Sequence, residues 1–189
     1  MTALQILLLN LLYDLLCLVL PWDQVDESIC AKPLEWSGKT LGRFMRFFGP
    51  ISSVFDIITF AYLFFVLCPA VCGGTFASLS GSGEQARFII LFQTGWFLES
   101  MWTQVLILHL LRTQKVPLLQ SRPSRPVMVV TLLGTAVFTL LTFTPMGEWI
   151  GLTALPPVYF VFLAVTVFFY LLWVTLAKRW YIRRYHELL

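Results

Sequence analysis

Asn10 and Asp14 stand four residues apart inside MTALQILLLNLLYDLLCLVLP, an otherwise apolar run. In a helix that step is one turn, so both side chains leave the same face. An amide oxygen stacked on a carboxylate offers the hard oxygen donors that magnesium and calcium take. Two or three such donors with retained waters suit magnesium, which dehydrates reluctantly. The alternative is that the pair only hydrogen-bonds neighbouring helices.

Two more acids interrupt apolar stretches, Asp56 and Glu99. An ionisable side chain at the centre of a membrane helix costs about 2.5–3.5 kcal/mol on insertion scales, so it normally faces a partner or a water-filled space. Glu99 shares its segment with Gln93, Thr103 and Gln104, and either lines a site or bonds structurally. For Asp56 a structural role is expected, with Ser52, Ser53 and Thr59 close enough in sequence to satisfy it.

The elements that must hold these residues follow from composition. The chain has 189 residues, 58% of them hydrophobic and 12% charged, which is the balance of an integral membrane protein. A span needs about 20 mostly apolar residues. Five stretches qualify, roughly Thr2 to Leu20, Phe47 to Val71, Phe88 to Leu111, Val127 to Phe143 and Pro156 to Ala177. The expected fold is an all-α polytopic membrane bundle. The first segment lacks a basic n-region and a small-residue cleavage site, and it carries Asp14, so it reads as a retained helix.

Charge placement sets the expected orientation. Of the 13 Lys and Arg residues, 12 lie in the 21–46 and 112–126 connections and the 178–189 tail, and only Arg87 lies in the other two connections. The basic segments are therefore expected in the cytoplasm, with the N-terminus outside. At about 1.5 Å per residue, Asp14 would lie about 12 Å above the cytoplasmic edge and Asp56 and Glu99 about 13 Å above it, a common level.

Other patterns lead nowhere catalytic. WSGKT, Trp36 to Thr40, has Pro33 where a phosphate loop needs its first glycine, and reads as a solvated loop. Cys17, Cys30, Cys68 and Cys72 lack metal or redox spacing, and His109 beside Arg112 reads as interfacial. No nucleophile-and-base pair, dinucleotide fingerprint or metal cluster is present, and nothing suggests nucleic-acid binding.

Longer motifs are more specific. NLLYD, PWDQVD, LGRFMRFFGPISSVFDIITF, FQTGWFLESMWTQVLILHLLRTQKVPLLQSRPS, ALPPVYF and RRYHELL together closely resemble the C-terminal membrane region of magnesium-transporting P-type ATPases, from the sixth membrane helix to the tenth. The resemblance implies that Asn10 and Asp14 match the sixth-helix pair for the transported ion, and that Glu99 falls where the eighth helix can also contribute an acid to the pathway. It implies Mg2+ as transported ion, a multi-pass location in the inner (plasma) membrane, and ATP chemistry supplied only by domains absent from this sequence. The Asp-Lys-Thr-Gly-Thr phosphorylation motif, the actuator and nucleotide-binding domains and five earlier helices are not in it.

The expected partners are the lipid bilayer and the missing N-terminal pump half or cytoplasmic phosphorylation domain, with Trp22 to Phe47 as docking segment. The chain alone is expected to lack ATPase activity. The competing expectation is a stand-alone membrane interaction or regulatory protein derived from such a pump, without transport.

Overall fold

A computed structural model describes residues 1–24, 38–113 and 123–185. Cys30, Lys32, Trp36, Lys115, Arg122, most of the 21–37 half of the expected docking segment and the final HELL lie outside the described residues.

Seven α-helices are present among the described residues: α1 (Ala3–Val19), α2 (Gly38–Tyr62), α3 (Cys68–Cys72), α4 (Ser82–Leu111), α5 (Arg125–Leu141), α6 (Pro145–Trp149) and α7 (Pro157–Tyr185). A 3-10 turn, Leu20–Trp22, ends α1, and a wide π turn, Leu63–Leu67, joins α2 to α3. No strand occurs among the described residues.

Local chemistry marks the helix ends. Thr2 and Gln5 form a reciprocal capping box on α1: the Gln5 amide donates to Thr2 Oγ1 at 3.3 Å and the Thr2 amide to Gln5 Oε1 at 3.0 Å. The same Gln5 side chain donates to the Gly151 carbonyl at 2.9 Å and ties the start of α1 to the α6–α7 connection. Gly151 sits at φ 77, where a side chain would be strained. Pro145 and Pro157 occupy first-turn positions, where the missing amide needs no partner.

The five long helices run alternately in opposite directions. α4 is the central one: thirty residues, about 45 Å by helical rise, packed against α1, α2, α3, α5 and α7. Its buried residues fall on every side, from Phe88 through Phe97, Leu98 and Glu99 to Leu110, as expected of a helix enclosed by others. α1 and α5 pack on one flank of α4, and α2 and α7 on the other. The outward faces of α1, α2 and α7 are largely apolar, with Leu18, Ile57 and Val161 among the most exposed, which suits a hydrocarbon solvent.

Among the described residues, length and apolar composition sufficient to cross a membrane are found in three helical stretches, Ala3–Trp22, Gly38–Cys72 and Pro157–Tyr185. The 17-residue α5 is shorter, and α4 is long but carries more polar residues. Three boundaries differ by more than two residues from the sequence reading, and one is the start of α4, at Ser82 where Phe88 was expected. α2 starts nine residues before the expected Phe47, and α7 runs eight residues past Ala177, because a helix keeps its hydrogen bonds beyond an apolar run when nothing breaks it. Lys178, expected in a solvated tail, is 2% exposed.

The short α6 depends on Gly147. Its amide donates to the Thr144 carbonyl at 2.9 Å, its carbonyl accepts from Leu152 at 2.8 Å, and a Cβ there would sit 2.1 Å from the Leu141 carbonyl oxygen. That neighbour is backbone and cannot swing away. Gly147→Ala should therefore destabilise the bundle by about 1–3 kcal/mol, read as a lower thermal midpoint in detergent. Gly42→Ala on α2, with open space around it, should change stability in the opposite direction by about 0.5–1 kcal/mol. Equal effects at the two positions would contradict the assignment.

Candidate functional site

Asn10 and Asp14 occupy the exposed side of α1. The buried face is formed by Gln5, Leu12 and Leu16, and Leu12 lies about 200° around the helix from Asn10. The four-residue spacing does put the two oxygen donors on one face. The described residues leave that face uncovered.

Glu99 lies elsewhere. It is 0% exposed, and its carboxyl is within hydrogen-bonding reach of Asp56 on α2. Neither Glu99 oxygen receives a hydrogen bond from a donor group among the described residues. The Asp56 carboxylate is itself an acceptor, so the two acids join only through a proton or a cation held between them. The α1 contact with α4 is made further along, where Leu9, Leu12 and Tyr13 meet Met101, Gln104 and Val105. The described residues thus bring Asp56 and Glu99 together and keep Asn10 and Asp14 apart from them. They contain no group of three or more His, Cys, Asp or Glu placed to hold a metal ion.

Asp56 opens onto a largely polar cleft of about 250 Å3 between α2, α4 and α7, lined by Ser52, Ser100, Thr103, Gln104, Ile107 and Tyr170. Ser53 and Thr59 do not satisfy Asp56 as expected. Ser53 donates to the Gly49 carbonyl at 3.2 Å, and the Thr59 hydroxyl is buried without a hydrogen-bond partner among the described residues. Tyr170 escaped the sequence reading because a tyrosine in an apolar helix carries no sign of what it faces. Thr103 and Gln104 carried a weak signal, being four and five residues beyond Glu99, between one turn and one and a half.

The ends of the helices are joined by a second polar group. Asp23, just past α1, pairs with Arg112 at the end of α4, and its other oxygen accepts from the Ser124 amide before α5 at 2.7 Å. Lys178 of α7 donates to the Leu110 carbonyl at 2.7 Å and to the Thr113 carbonyl. His109 is buried, with Nε2 2.8 Å from the Thr131 hydroxyl of α5, so it joins two helices where an interfacial position was expected. These contacts gather the C-terminal ends of α1, α4 and α7 with the start of α5 on one side of the bundle. Gln5 and Gly151 lie toward the other, where the Thr153 amide donates to Oγ1 of Thr94, in the first half of α4, at 3.1 Å.

Long apolar helices, an enclosed acidic side chain and polar groups paired across helices define a polytopic α-helical membrane protein. The chain belongs to the family described as "Cation transporting ATPase, C-terminus", whose model matches residues 1–180. It is similar to "Magnesium-transporting ATPase, P-type 1" of Salmonella typhimurium strain LT2, 41% identical over 187 residues, covering 99% of this chain and 19% of that protein. The protein of the same description from Escherichia coli K12 is 38% identical over 185 residues, covering 98% of this chain and 19% of its own length. The chain therefore spans about a fifth of the length of these relatives.

Proposed function

We propose that this chain acts as the C-terminal membrane portion of a magnesium-transporting P-type ATPase, supplying helix scaffold and part of an intramembrane Mg2+ site. The observation that carries the reading is the likeness to magnesium-transporting relatives over 99% of the chain. The uncovered face of α1 supports it. Asn10 and Asp14 stand where helices from another part of a pump would complete an oxygen-ligand shell, with Glu99 a further acid on the ion path.

In this reading five helices cross the inner (plasma) membrane. The side holding Asp23, Arg112 and Lys178 faces the cytoplasm, and the N-terminus faces outward. ATP hydrolysis belongs to a phosphorylation domain outside these residues. The chain's partners are the bilayer and the N-terminal part of the pump, and alone it neither hydrolyses ATP nor transports Mg2+.

The test is to place the equivalents of Asp14→Asn and Asn10→Ala in an intact homologous pump reconstituted in vesicles. Magnesium-dependent ATP hydrolysis and transport should fall by at least about tenfold for Asp14→Asn, since even groups that only support a metal's ligands are worth that much. Unchanged rates and unchanged Mg2+ dependence would overturn the ligand assignment.

A further inference from the structure

We propose that Asp56 and Glu99 form a second divalent-cation site, on the opposite flank of α4 from the Asn10–Asp14 pair. The inference rests on the reading that the cargo is a hard divalent cation, and it adds a binding position that the α1 pair does not supply.

Three independent observations support the site. First, Glu99 is fully enclosed, and both carboxylate oxygens lack a donor among the described residues. A buried carboxylate left this way is among the most unfavourable groups a fold can carry unless a cation or proton neutralises it. Second, among the described residues no basic side chain lines the cleft onto which Asp56 opens. The buried cations nearest the end of α4 are engaged elsewhere, Arg112 with Asp23 and Lys178 with the Leu110 and Thr113 carbonyls. Third, the cleft beside the pair has room for several waters at about 30 Å3 each. Its walls present hydroxyls from Ser52, Ser100, Thr103 and Tyr170 and the amide of Gln104.

That donor set selects among cations. Two carboxylates supply charge and direct ligation, while hydroxyls and an amide hold coordinated waters without displacing them. Magnesium binds in this way, through one or two carboxylates with several waters kept. Among the described residues no thiol or imidazole lines the cleft, so the softer transition metals have no preferred ligand there. Because Asp56 comes from α2 and Glu99 from α4, occupancy depends on how those helices sit against each other. A shift of α2 by an ångström or two would open the site or close it.

The experiment uses the full chain in zwitterionic phosphatidylcholine nanodiscs, with Mn2+ as a spectroscopic stand-in for Mg2+. Binding is read by electron paramagnetic resonance in a background carrying Asn10→Ala and Asp14→Asn, so the result does not depend on the α1 pair. One Mn2+ should bind per chain, compete with Mg2+, and be weakened about tenfold or more by Glu99→Gln and by Asp56→Asn. Both replacements are near-isosteric, and unchanged helicity by circular dichroism confirms folding. Tyr170→Phe, which removes only a hydroxyl, should produce a smaller loss. Absence of bound Mn2+ in the background chain, or binding indifferent to both acid replacements, would overturn the site. Either outcome would leave the transport result for Asp14 standing.

Discussion

Asp23→Ala should destabilise the chain by about 3–5 kcal/mol, the range for breaking a buried ion pair and leaving one charge uncompensated. The side chains of Arg112 and Asp23 are 5% and 7% exposed, so solvent cannot replace the lost partner. The loss falls on three segments at once, because the same carboxylate ties the end of α1 to the end of α4 and to the amide before α5. Asp23→Asn, which retains an acceptor for the Ser124 amide, should lose less.

The pair also sets an acid limit. Burial alone would raise the Asp23 carboxyl, but the Ser124 amide and the Arg112 guanidinium outweigh burial and hold it below the ordinary carboxylate range. With the folded value depressed, the unfolded chain takes up the proton first as pH falls. The stabilisation is complete above the unfolded value of about 3.9 and disappears as pH drops through the folded one. Thermal midpoints in detergent should show wild type and Asp23→Asn converging below about pH 4. A gap that stays constant through that range would show that the ionised carboxylate is not the source of the difference.

Lys178→Met should have an effect of similar size for a different reason. The ammonium donates to two carbonyls at the end of α4, Leu110 and Thr113, where a helix has no amides left to satisfy its last oxygens. Each buried acceptor left without a donor costs about 1–3 kcal/mol, so the pair accounts for about 2–6 kcal/mol. A positive charge is also favoured at that end of the helix dipole. The adjacent Arg179 is exposed, and Arg179→Met should change stability by no more than about 0.5 kcal/mol. Equilibrium denaturation of the two variants decides between a specific cap and a general need for positive charge in this stretch. Equal losses would support the general need.

These two features show where sequence reasoning stops. Both lysine and arginine were legible as charge beside a membrane, and their number on one side suggested orientation. Nothing in KRWYIRR distinguishes the buried Lys178 from the exposed Arg179, because that depends on which side of α7 meets α4. The long helices were legible, since apolar runs of spanning length have few other uses. Their ends were not, because α2 and α7 continue as helix into basic sequence.

At the candidate site, the helical period put Asn10 beside Asp14 without any coordinates. The similar depth expected for Asp56 and Glu99 agrees with the meeting of their carboxyls. The pairing itself is a tertiary contact between residues 43 apart in sequence, and period and depth leave the partner open. Depth alone also grouped Asp14 with them, although it faces away from the bundle on another helix.

The wide turn at Leu63–Leu67 bears on how this chain tolerates changes in length. Phe55, Thr59, Leu63 and Leu67 follow one another in four-residue steps and all are buried. In an ordinary helix each such step overshoots by about 40°, so the third would swing Leu67 well off the packed face. A wider turn rotates less per residue and cancels part of that drift, which makes the stretch equivalent to one residue inserted into a regular helix. Loss of a residue among Phe64, Phe65 and Val66, all exposed, would let the turn relax to ordinary pitch with Leu67 still facing inward. The same loss in the middle of α4, which has no such slack, would rotate everything beyond it by about 100° and scatter its buried side chains.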